Sequence, residues 1–179
     1  MSTLRIPVTL HDHTIGPLNA PVTLVEYGDY ECPHCAAAHP ILQLVRKHFE
    51  NRVLFAFRHF PMSQVHPNAQ AAAESAEFAG VHGHFWAMHD GLFENQDHLG
   101  LPLLFALASA LGLSEVELRE ALVNGTYQPK VRNDFLGGVR SGVNGTPTFF
   151  INGERHDGTY AYDDLVEAIA LHMRVRSPL

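Results

Sequence analysis

"ECPHCAAAHP", from Glu31 to Pro40, holds the two cysteines of the 179-residue chain, Cys32 and Cys35, with Pro33 and His34 between them. Three chemistries use such a spacing: half of a zinc site, a structural disulfide, and a dithiol that exchanges electrons. The flanking sequence separates them. Just upstream, "PVTLVEYGDY" (Pro21–Tyr30) opens with Val22, Thr23, Leu24 and Val25, a short β-forming run that suits a strand buried on both faces. Downstream, Ala38, Leu42, Val45 and Phe49 fall at helical spacing, so a helix of about four turns begins at the cysteines. Pro33 fits its first turn, where no N–H donor is lost, and Pro40 is expected to kink it.

Further out, "NRVLFAFRHFP" predicts a second strand, Val53, Phe55 and Phe57 alternating with Leu54, Ala56 and Arg58. From about 64 to 142 the texture is helical in pieces. Ser114 and Glu117 stand in capping-box spacing there, and Val131, Phe135, Val139 and Val143 recur four apart as one apolar face. "GTPTFFINGERHDG" then reads as a hairpin turning at Asn152–Gly153, and Leu165, Ile169 and Met173 mark a closing helix. The expected class is α/β, a sheet unit at about 13–63 and 143–179 split by a helical insert at about 64–142, all one unit over 1–179.

A thiol exchanges disulfides only as its thiolate. At a helix start, Cys32 meets unpaired N–H groups and the positive end of the dipole. A protonated His34 would add positive charge, while Asp29 and Glu31, read as a solvated acidic rim, would oppose the thiolate. Cys35, one turn in, is expected to be more buried and to act as the resolving thiol. A two-residue disulfide loop would restrain little chain entropy. Zinc could draw on Cys32, Cys35 and His39, but the chain has no second cysteine pair. His82, His84 and His89, among Phe85, Trp86 and Phe93, read as a helical packing face. No metal and no bound cofactor are expected.

The motif after its strand, the far "GTPTFFING" and the intervening helical block together resemble thioredoxin-fold proteins of the DsbA-like branch, whose middle dipeptide is also Pro-His. The resemblance implies a central mixed β-sheet flanked by helices and a thiol–disulfide oxidoreductase acting through Cys32 and Cys35. It implies that Glu26 is a buried acid shuttling a proton for Cys35, and that Pro147, after Thr146, is a cis-proline whose backbone meets an extended peptide. The implied partners are protein or peptide thiols and disulfides, or small thiols of the glutathione type. Two rival readings are a redox sensor or adaptor that switches a partner surface, and a glutathione-conjugating or isomerising relative; Cys35 argues against the latter. His34 pushes the redox potential up and Asp29 and Glu31 push it down, so a value between about −270 mV (thioredoxin) and about −120 mV (DsbA) is expected.

With 46% hydrophobic and 17% charged residues and a formal net charge of −7, the chain carries no disorder signature and no basic cluster suited to nucleic acid. Arg5, His11, Asp12 and His13 interrupt the N-terminal segment, so neither a signal peptide nor a membrane span is expected, and the cytoplasm is the expected location.

Overall fold

The computed structural model describes residues 2–175. Its centre is β2 (Val22–Gly28). On one side β2 runs parallel to β3 (Val53–His59), from Val22 opposite Val53 to Gly28 opposite His59. On the other it runs antiparallel to β4 (Thr148–Ile151), with Glu26 opposite Phe149. A parallel pair needs a crossover, and α1 (Pro33–Phe49) supplies it. At the edges lie β1 (His13–Ile15), antiparallel on β3, and β5 (Glu154–Arg155), antiparallel on β4, giving the order β1-β3-β2-β4-β5. The sheet is therefore mixed.

Between β3 and β4 come α2 (Ala69–Val81), α3 (Phe85–Glu94), α4 (Leu101–Ala110), α5 (Glu115–Asn124) and α6 (Gln128–Arg140); α7 (Tyr162–Val175) closes the described chain. Ser114 Oγ accepts from the Glu117 N–H at the start of α5, as its capping spacing predicts. Asn152 and Gly153 both take positive φ, 49° and 86°, as a tight two-residue hairpin of primed type demands. The expected unit 1–179 has its ends, residue 1 and residues 176–179, outside the described residues.

The continuous apolar run of β2 is explained by its two buried faces. Val22 and Leu24 join Cys35, Leu42, Val45, Phe55 and Ile169 in the larger core cluster. Val25 and Tyr27 point the other way, onto Ala56, Phe60 and Phe150. Here α6 lies close to the sheet because it has glycine where it crosses: a Cβ on Gly138 would sit 2.7 Å from the Phe60 ring and 3.0 Å from Tyr27.

One expectation about the helices needs correction, and one strand was not foreseen. That strand is β1: its three residues, His-Thr-Ile, carry no apolar alternation, and ladder pairing with β3 makes the strand. Of the face expected at Val131, Phe135, Val139 and Val143, Val131 and Phe135 pack inward and Val143 is buried just past the end of α6, but Val139 departs. A strict four-residue step turns about 40° per step on a 3.6-residue helix, so Val139 rotates out to 50% exposure, and Asp134, Gly137 and Gly138 are buried instead. The helix α1 continues through the exposed Pro40 to Phe49.

Candidate active site

Cys32 is the N-cap of α1, and Pro33 opens the first turn at no hydrogen-bonding cost. Cys32 is 5% exposed and Cys35 fully buried, both as free thiols. Protonated, Cys32 Sγ donates to the Thr146 carbonyl at 3.3 Å. Ionised, it receives a hydrogen bond from the Cys35 thiol, then from the Thr146 side chain and the backbone N–H groups of Cys35 and His34. Together these overcome burial and hold its pKa at about 5. Burial first, and then the hydrogen bond given to Cys32, push the Cys35 thiol up. The two thiols therefore differ in kind: one ionised at neutral pH, the other held as a proton donor to it.

The Thr146–Pro147 bond is cis, and its carbonyl faces Cys32. Glu26 lies mid-strand in β2, 1% exposed, its Oε1 buried with no hydrogen-bond partner. Burial, then the negative charge of Cys32, raise its pKa to about 8. The structure thus brings Glu26, Cys32, Cys35, Thr146 and Pro147 to one end of the sheet.

His34 is exposed, its Nδ1 3.1 Å from Tyr160 Oη. It reaches the Cys32 thiolate through its backbone N–H. Asp29 and Glu31 are not a solvated rim. Asp29 is 1% exposed and accepts from the N–H groups of Glu31 and Met62, each at 2.8 Å, with His66 Nδ1 also at 2.8 Å. Glu31 binds the backbone N–H and side-chain amide of Asn68 at 2.6 and 2.8 Å, just ahead of α2. A carboxylate so placed braces two segments, which the sequence spacing of 29, 31, 62 and 68 does not disclose.

Three further residues shape the site. Burial disfavours the His66 imidazolium, but the hydrogen bond and charge of Asp29, with the charges of Cys32 and Glu31, raise its pKa. Gln96 Nε2 donates to the carbonyls of Tyr30 (2.7 Å) and Cys32 (3.0 Å), tying the helical insert to the motif. Met62 Sδ accepts from Thr146 Oγ1 at 3.8 Å. Beside Met62 and Asn144 runs an apolar groove of about 1000 Å³, lined also by Phe60, Val65, Val131 and Phe135.

The family described as thioredoxin matches residues 9–170. The chain belongs to the thioredoxin family. Among solved structures, this thioredoxin chain is similar to oxidised BdbD from Bacillus subtilis, with a TM-score of 0.87, 26% identity, and 97% of this chain and 98% of that one covered. Its fold is also that of α-DsbA1 from Wolbachia pipientis, with a TM-score of 0.83, 21% identity, and 96% and 95% covered. The expected fold, a mixed sheet flanked by helices with a DsbA-like helical insert, is the one found. Among curated proteins it is 44% identical over 167 residues to a Na(+)/H(+) antiporter NhaA 1 of Salinispora arenicola. It is 38% identical over 160 residues to the protein of the same name from Mycobacterium sp. (strain KMS). The thioredoxin chain spans about a quarter, 26%, of the length of each. No described helix is long and apolar enough to cross a membrane.

Proposed function

We propose that the chain is a thiol–disulfide oxidoreductase acting on protein or peptide partners. The observation that carries this is the Cys32 thiol at the start of α1, 3.3 Å from the Thr146 carbonyl and backed by the buried Cys35 thiol. In the reducing direction the Cys32 thiolate attacks one sulfur of a partner disulfide, and the other partner sulfur leaves as a thiolate. Once Cys32 is tied up in the mixed disulfide its negative charge no longer raises the Glu26 pKa, so Glu26 can ionise and take the proton of Cys35. The Cys35 thiolate then attacks Cys32 Sγ, forming the internal disulfide and releasing the second partner sulfur. Two electrons pass to the partner; the reverse sequence oxidises it. In the oxidising direction the low pKa of Cys32 makes it a good leaving group, when a second partner thiolate attacks the partner sulfur of the mixed disulfide.

The 146–147 backbone supplies the edge against which an extended peptide lies, and the adjacent groove takes its apolar side chains. Small thiols of the glutathione type enter the same exchange as the redox buffer. The antiporter names belong to proteins about four times as long, and the part of them matched here is this thioredoxin unit; disulfide exchange, not ion transport, is the activity proposed for it.

The test is exchange with a dye-labelled disulfide peptide. Cys32→Ala should abolish turnover, whereas Cys35→Ala should accumulate a mixed disulfide through Cys32, visible by mass. Turnover that survives Cys32→Ala would overturn the proposal.

A further inference from the structure

We propose that His39, His89 and Asp90 form a binding site for one divalent first-row transition-metal ion of the zinc type. His39 lies on α1 one turn beyond Cys35; His89 and Asp90 lie on α3. One donor atom from each gathers within 4.8 Å of the others. His39 Nε2 and Asp90 Oδ1 are 3.4 Å apart. Two ligands at roughly 2.1 Å from a tetrahedral zinc stand about 3.4 Å from each other.

The Gln43 side-chain amide nitrogen lies 3.1 Å from His39 Nε2. A polar NH2 group at that imidazole nitrogen stands where a cation would. Gln43 is exposed and free to swing aside. His89 is 3% exposed; its Nδ1 is held at 3.0 Å by Tyr30 Oη, which fixes the ring and leaves Nε2 for the ion. The two imidazole rings meet at 5.3 Å and 61°. Asp90, its side chain 42% exposed, leaves an entry path and room for a water as fourth ligand.

Burial favours the neutral ring at both histidines, which is the ligating form. Arg46 lies close enough to act on Asp90 and weakens the site, although its guanidinium rests on the Phe55 and Trp86 rings. Two imidazoles and one carboxylate favour zinc, copper or nickel over magnesium or calcium. The second buried cluster, His59, Glu77 and Asp134, is a contrast: Lys130 Nζ lies 2.7 Å from Asp134 Oδ2 and 3.8 Å from Glu77 Oε1, so it already holds a cation of its own. An ion between α1 and α3 would staple the active-site helix to the insert.

The experiment uses the full chain in its disulfide form, so that Cys32 and Cys35 cannot ligate and the result does not depend on the proposed exchange activity. After chelator treatment and dialysis, zinc chloride is titrated calorimetrically. One equivalent should bind, and His39→Gln and Asp90→Asn should each weaken it at least tenfold. Exposed His84→Gln should leave it unchanged. Zinc should raise the melting temperature of the parent but not of Asp90→Asn, a half-exposed substitution compatible with folding. No binding by the disulfide form, or binding that persists in the His39→Gln/Asp90→Asn double variant, overturns the site.

Discussion

Relative to the parent, Glu26→Gln should gain stability in the reduced protein as the pH rises from acid to neutral. The Glu26 carboxyl is raised from 4.5 to about 8, first by burial and then by the Cys32 charge. An acid whose folded pKa exceeds its unfolded one destabilises the fold as pH rises, because the unfolded chain releases the proton first. The penalty is near zero at pH 4, grows by about 1.36 kcal/mol per pH unit above 4.5, and is complete above 8. At pH 7 it amounts to about 3 kcal/mol. Glutamine cannot ionise and escapes it. Its amide brings a donor into a place where Glu26 Oε1 already lacks a partner, a cost of about 1–3 kcal/mol that does not vary with pH. The pH dependence therefore isolates the titration from the packing. Urea denaturation of both proteins at pH 4, 5.5 and 7 measures it. The variant-minus-parent difference should climb by about 3 kcal/mol from pH 4 to 7, or roughly 6–12 °C in melting temperature for a chain of this size. A difference flat across that range would refute the buried, protonated carboxyl.

Iodoacetamide should label Cys32 before Cys35, with a rate that rises through pH 5 and is level above about 6.5, since the Cys32 pKa lies near 5 and that of Cys35 is pushed up; mass mapping after brief exposure checks both order and midpoint. His34→Pro removes the N–H that reaches the Cys32 thiolate and should lower the redox potential by about 30–60 mV, the worth of one hydrogen bond to a charged group. His34→Ala keeps that N–H and should move the potential far less; equal shifts in glutathione-buffer titrations would return the effect to the imidazole ring.

Local pattern accounts for what was legible in the sequence. Val22–Val25, the cysteine spacing and the Asn152–Gly153 turn each act over a few residues, so their strand, helix start and hairpin could be read directly. The cis bond at Pro147 and the buried Glu26 came from the family resemblance, since a proline after threonine and a glutamate in a strand carry little signal alone. The brace around the motif was not legible. Asp29 meets His66 and Met62, Glu31 meets Asn68, and Gln96 meets Cys32 across 33 to 64 positions of sequence, and no periodicity encodes such pairings. β1 escaped for the same reason: its strand character lies in its partner.

The Tyr30 side chain, just ahead of the motif, has an optical consequence. Its hydroxyl is 3.0 Å from His89, and the His89 ring is 5.1 Å from that of Trp86, the sole tryptophan of the chain. Gln96 holds the carbonyls on both sides of this connection. A shift of the motif between its dithiol and disulfide forms should therefore reach the one indole two side chains on, and tryptophan emission should change on oxidation without any label.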